Sequence, residues 1–166
     1  MRSNHFVLAL LIVPLLASAG CGESTSNGVS VTGKVLKGSA PYVPPRGQVV
    51  YVTFVGLEIQ DGSGKTIPGG EPFQAEVDQA NGTFSVPGAA GRGIPPGKYR
   101  VAVTQKLTRE AFDAANPRRP KKGVDRETDM LAHRFGLDTS PIIREIKSSC
   151  NLTIDLEKPL ETVASP

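Results

Sequence analysis

A chain of 166 residues, 39 % hydrophobic and 21 % charged, is long enough for one globular domain plus a targeting segment. Lys and Arg number 19 against 16 Asp and Glu, a formal net charge of +3, which is too slight an excess to point to a nucleic-acid partner. With 18 glycines, 14 prolines and only 5 % aromatic residues, the composition favours many turns and short strands over long helices.

The N-terminus reads as a leader. Met1 to His5 is a short basic start without an acid, and Phe6 to Leu16 is an apolar run broken only by Pro14. Eleven residues are too few to span the ~30 Å hydrocarbon core as a helix, but they suit the apolar region of a cleaved signal. Small residues then precede a cysteine, and Ser18-Ala19-Gly20-Cys21 resembles the bacterial lipobox. The resemblance implies that residues 1–20 are removed and that the Cys21 thiol carries a diacylglycerol thioether. Mature lipoproteins of this kind carry two or three acyl chains, and two or more are what firm anchoring requires. Residues 21–28, polar and small, then form a tether. The protein is expected to be exported and lipid-anchored, in the cell membrane or the outer membrane, facing the periplasm or the cell exterior.

From residue 29 onward, apolar residues recur at every second position, bounded by turn residues, as in strands with one buried face. Val29, Val31 and Val35 mark the first strand, and Val50, Val52 and Phe54 the second. Phe73, Ala75 and Val77 form a third, followed by an Asn81-Gly82 turn and by Phe84 and Val86. Tyr99, Val101 and Val103 come next, then a weaker strand framed by Ile142 and Ile146, then Leu152, Ile154 and Leu156 with Cys150 in phase. About seven such strands predict an all-β, antiparallel two-sheet sandwich over residues 29–158, with a C-terminal tail at 159–166.

One insertion, residues 106–139, breaks the pattern. Thr108 is placed to cap a short helix ending at Ala115 before Asn116-Pro117. Asp125 is placed to cap a second, with Leu131 and Phe135 four apart and Gly136 as its stop. Between them lies the basic cluster Arg118, Arg119, Lys121 and Lys122.

Three phrases carry a resemblance to a known group. They are Val31-Thr32-Gly33-Lys34-Val35; Asn81-Gly82-Thr83-Phe84 followed by Pro95-Pro96-Gly97-Lys98-Tyr99-Arg100-Val101; and Phe135-Gly136, Thr139-Ser140-Pro141-Ile142, Asn151 and Asp155-Leu156. Together they resemble small bacterial lipoproteins with a transthyretin-like or carboxypeptidase-regulatory-like domain. The likeness spans about residues 29 to 157. It implies a sandwich fold, with Gly97 permitting a turn and Tyr99 turning its ring to the core, and it implies little about activity.

The residues offer sparse site chemistry. His5 leaves with the leader, so a nucleophile site would have to use His133, which reads as a solvated histidine on the second helix. One histidine and one unlipidated cysteine do not make a zinc site, and His-Glu-x-x-His is absent. Oxygen-bearing loops at Asp61-Gly62-Ser63-Gly64 and at Asp78 to Gly82 keep calcium open, although Asp and Asn there also serve as turn residues. A glycan platform usually needs exposed rings, whereas Tyr42, Tyr51 and Tyr99 mostly fall in or near strands. Cys150 is expected to be a buried thiol, with pairing between chains as the other possibility.

The expected function is therefore a non-catalytic envelope module without a cofactor, held to the membrane by its N-terminal lipid and contacting an unidentified envelope protein or polymer. The alternative is a ligand-binding module for calcium or a glycan. Partner contact is expected to concentrate in the insertion, with Arg118, Arg119, Lys121 and Lys122 steering an anionic surface.

Overall fold

The computed structural model describes residues 28–115, 129–160 and 163–164. In chain order these form β1 (Val31–Lys37), β2 (Ala40–Pro41), β3 (Gln48–Gln60), β4 (Thr66–Pro68), β5 (Phe73–Gln74), β6 (Glu76–Val77), β7 (Thr83–Val86), β8 (Gly97–Leu107), α1 (Arg109–Ala115), β9 (Ile143–Ile146), β10 (Cys150–Asp155) and β11 (Val163–Ala164). The first sheet runs β11-β10-β1-β7-β6, with β2 also beside β1. The second runs β4-β3-β8-β9, with β5 sharing the β4 edge of β3. The fold is the expected all-β two-sheet sandwich.

Each of the seven expected strands is present, and β2, β4 and β11 join them. The segment from Phe73 to Val77 divides at Ala75, where the chain steps between sheets: β5 pairs with β3 and β6 pairs with β7. Pairing is antiparallel except between β1 and β10, which run parallel, with Val31 opposite Cys150 and Val35 opposite Ile154. β11, within the expected C-terminal tail, pairs with β10 at the sheet edge.

Alternation decides what each sheet buries. Val31, Val35, Phe84, Val86, Leu152 and Ile154 of the first sheet face Val50, Val52, Phe54, Tyr99, Val101 and Val103 of the second. Along β3 the period of two is interrupted, because Gly56 pairs with Tyr99 and Glu58 with Lys98, leaving Leu57 as an extra residue. This bulge shifts the phase by one, which is why Ile59 returns to the core five residues after Phe54.

Two glycines are set by close approach. Gly33 lies in the core phase of β1 between Leu152 and Phe84, and a Cβ there would meet the Leu152 carbonyl and come within 2.6 Å of the Phe84 ring. The missing side chain is the space the ring fills. Gly97, expected to serve a turn, instead opens β8 without a positive φ, and a Cβ there would run into the Glu58 backbone at the bulge.

Tyr99 is fully buried, with its ring edge-on to Phe54 at 6.2 Å and to Phe73 at 6.3 Å between centroids. Its hydroxyl donates to the Pro95 carbonyl at 2.5 Å, tying the strand to the loop that precedes it. Burial pushes the phenol above its ordinary 10.0. The neutral form is therefore favoured in the folded state, so the stability it contributes is present below about pH 10 and is lost as pH rises beyond that. Tyr99→Phe is expected to cost about 1 kcal/mol at pH 8. It is also expected to flatten the fall in denaturation midpoint between pH 9 and 11, and an equally steep fall in the variant would assign the alkaline loss elsewhere.

Candidate functional site

β1 gives the sandwich a polarity. The chain enters at Val31, beside Cys150 and the Val29–Ile94 bridge, and leaves β1 at Lys37. Six steps at about 3.3 Å separate the two ends by roughly 20 Å. At the far pole, around Lys37, lie Tyr42, the Asp78–Gly82 loop, the start of β3, the end of β8, α1 and the turn from Asp129 to Phe135.

A buried polar cluster organises this pole. Gln105 continues the core phase of Tyr99, Val101 and Val103, yet it carries an amide and is almost fully buried. Its side chain accepts from the Tyr42 hydroxyl and donates to Gln48 Oε1. Its backbone N–H donates to Asp129 Oδ1 at 3.0 Å, and its carbonyl accepts from Met130 N–H at 2.8 Å. Asp129, also buried, accepts from two more amides, those of Leu131 at 3.0 Å and His133 at 3.1 Å. Burial, and then the Asp129 charge, raise the Tyr42 phenol above its ordinary value.

These bonds replace the second helix. Asp125 lies outside the described residues, and residues 130–134 are turns in which Ala132 and His133 take φ of 54° and 57°. A carboxylate that collects the two local amides of Leu131 and His133, and holds the Gln105 amide of β8 as well, fixes a turn in place of a helical ladder. Leu131 and Phe135 still reach the core at their spacing of four, but from a turn. Gly136 donates to His133 O within the same turn and stops no helix. The first helix does form as expected, with Thr108 Oγ1 accepting from Ala111 N–H at 3.2 Å.

Beside the cluster opens a cleft of about 370 Å³, with Leu131, Phe135 and Leu156 at its base and Met130 and Tyr42 along it. Lys37, Arg134 and Glu157 stand on its rim. The Arg134 guanidinium lies 5.3 Å from the Phe135 ring centroid. Met130 is 48 % exposed, apolar surface left to water beside a buried floor.

The residues expected to carry function distribute as follows. Cys21 and the basic cluster Arg118, Arg119, Lys121 and Lys122 lie outside the described residues. The elements on either side of the cluster, α1 and the Asp129 turn, both belong to the far pole. His133 is exposed in the turn rather than on a helix, with Nδ1 4.0 Å from Asp129 Oδ2. Cys150 is half-buried at the opposite pole, and burial raises its thiol. The two are therefore held at opposite ends of the sandwich and do not form a nucleophile–base pair.

The acidic loops are occupied by their own turns. Asp61 Oδ1 accepts from Ser63 N–H, Ser63 Oγ and Lys65 N–H at 2.6 to 2.9 Å, and the Ser63 hydroxyl chiefly draws its carboxyl below the usual value. Asp78 accepts from Ala80 N–H and Asn81 Nδ2, and Asn81 Oδ1 from Thr83 N–H and Oγ1. Among the described residues no group of three His, Cys, Asp or Glu side chains comes together as a metal site.

The sequence pattern does not disclose the Tyr42–Gln105–Asp129 cluster. Its one signal is Gln105, a polar residue in core phase. Arg144 offers the same signal: buried in β9 and in phase with Ile142 and Ile146, it donates to the Ile143 carbonyl at 2.8 Å and to the Pro159 carbonyl at 3.3 Å. It thereby clasps the edge of the second sheet to the chain leaving the first. In comparisons with known proteins, no family, no curated relative and no solved structure matches the chain.

Proposed function

We propose that this protein is a non-catalytic, lipid-anchored module of the bacterial cell envelope, a transthyretin-like sandwich tethered through Cys21 that presents its far pole to a partner. The observation that carries this reading is the direction of β1. The described chain enters the domain at the Val31 end, while the cleft, α1 and the Asp129 turn lie at the Lys37 end. An anchor at one pole and an open cleft at the other is a geometry for display, since a sandwich spends its inner strand faces on its own core.

The test is Cys21→Ser in intact cells. The expected result is loss of the protein from the detergent-extracted membrane fraction, with the chain left soluble or unprocessed. A variant that partitions with membrane as the wild type does would refute the anchor. For the display half, a photo-crosslinker at Met130 is expected to capture an envelope component, while one at Ser63, at the opposite pole, does not. Equal capture from both positions would refute the polarity.

A further inference from the structure

We propose that the cleft at the far pole is a binding site for a small amphipathic monocarboxylate. Its apolar body would lie on Leu131, Phe135 and Leu156, and its carboxylate would meet Arg134 and Lys37. Three observations carry the inference, and none depends on the lipid anchor.

The first is the shape of the cleft. At about 370 Å³ it falls within the range of small-molecule sites, and it combines an apolar floor with a few polar groups. The second is the state of that floor. Phe135 and Leu156 are buried core residues, Leu131 and Tyr42 are half-buried, and Met130 stands beside them about half exposed to water. Methionine is unbranched and adaptable, which suits a wall that closes against ligands of varying outline. A bound chain would remove this surface from solvent.

The third is the charge arrangement. Among the described residues that line the cleft, Lys37 and Arg134 face one carboxylate, Glu157, leaving one cation in excess. Asp129 lies behind Tyr42 with its carboxylate committed to three backbone amides. One excess positive charge is neutralised by one carboxylate. Arg134 rests against the Phe135 ring, which limits the freedom its planar fork would lose on meeting a carboxylate. Tyr42 keeps its proton, because burial and Asp129 both favour the neutral phenol, so it adds no negative charge to the wall.

The probe is octanoate, titrated into the full chain carrying Cys21→Ser so that no attached acyl chain competes, with binding followed by calorimetry and amide NMR. The expected result is saturable binding with shifts concentrated at Leu131, Phe135 and Leu156, and at least tenfold weaker binding of octanol, a chain of the same length without the charge. Lys37→Gln combined with Arg134→Gln is expected to weaken octanoate about tenfold while leaving octanol unchanged. Met130→Trp, a change at an exposed position, is expected to fill the cleft and abolish both. The proposal is overturned if octanoate does not bind, if octanol binds as tightly, or if Met130→Trp leaves binding intact. Lys37→Gln and Arg134→Gln alter only surface side chains, so the charge test stands even if the tryptophan variant misfolds.

Discussion

Replacing Phe54 with alanine is expected to destabilise the domain by about 4 kcal/mol, the cost of removing a buried ring from a packed core. Phe54 is fully buried at the middle of β3 and touches both sheets. Its ring lies 6.1 Å from Phe84 of the first sheet and 6.2 Å from Tyr99 of the second. Phe84 in turn occupies the space left by Gly33, so the ring truncated in the variant is one of three that interlock through the centre of the sandwich. The cavity cannot collapse easily, because β3 is held by β8 along one edge and by β4 and β5 along the other. Val55→Ala, one residue along and half-buried on the outer face, is expected to cost less than about 1 kcal/mol. Denaturant unfolding of both variants checks the pair. A difference below about 1 kcal/mol between them would mean that the phase of β3 is misassigned.

That phase is legible in the amino-acid sequence, and the reason is physical. Val50, Val52 and Phe54 are β-branched or aromatic residues at a spacing of two, a pattern that only a half-buried strand satisfies over this length. β1, β7, β8 and β10 carry the same signal. β2 and β11 have two residues each, too few to show any period, whereas β5 and β6, also of two residues each, are the halves of the one alternating run from Phe73 to Val77. Parallel pairing of β1 with β10 joins segments more than a hundred residues apart, and nothing in either segment encodes the other's direction. The site is less legible still. Leu131 and Phe135 are spaced as on a helix face, but that spacing equally serves a tight turn whose backbone passes through the left-handed region at Ala132 and His133. Three amides converging on one carboxylate decide between them, and that convergence is tertiary.

Arg144 shows how a departure from pattern can be used. An arginine in phase with Ile142 and Ile146 looks like an error in the strand. Its guanidinium instead bonds carbonyls on two segments, closing the open side between β9 and the chain after β10. Burial lowers its tendency to hold the proton, though arginine keeps its charge in practice. Gln105 plays the corresponding part at the far pole. Both polar residues lie where the alternating apolar face runs out towards the edge or end of a sheet, and there they replace packing with directed bonds.

Asp129→Ala is expected to cost about 3 kcal/mol, because it removes one acceptor from three amides at once. The Gln105 N–H is buried in β8, and the Leu131 and His133 amides are half-buried, so water compensates only in part. The loss falls unevenly. Only one of the three amides, that of Gln105 near the end of β8, belongs to a strand, whereas the turn from Asp129 to Phe135 holds the other two and the two left-handed residues. Hydrogen exchange is therefore expected to rise sharply at Leu131, His133 and Gln105 and to change little at Val52 or Val101. Asp129→Asn separates charge from bonding. It keeps one oxygen acceptor and so costs less than alanine, but it removes the negative charge that helps to hold the Tyr42 phenol protonated. Tyr42 is then expected to ionise at a lower pH than in the wild type, while still above its ordinary 10.0 because burial remains the larger cause. NMR titration of ring-labelled tyrosine reads this directly. If Tyr42 titrates unchanged in Asp129→Asn, the carboxylate does not act on the phenol. If exchange rises uniformly across both sheets in Asp129→Ala, the far pole does not unfold as a local unit. In that case the cleft is part of the core and not a separable surface mounted on it.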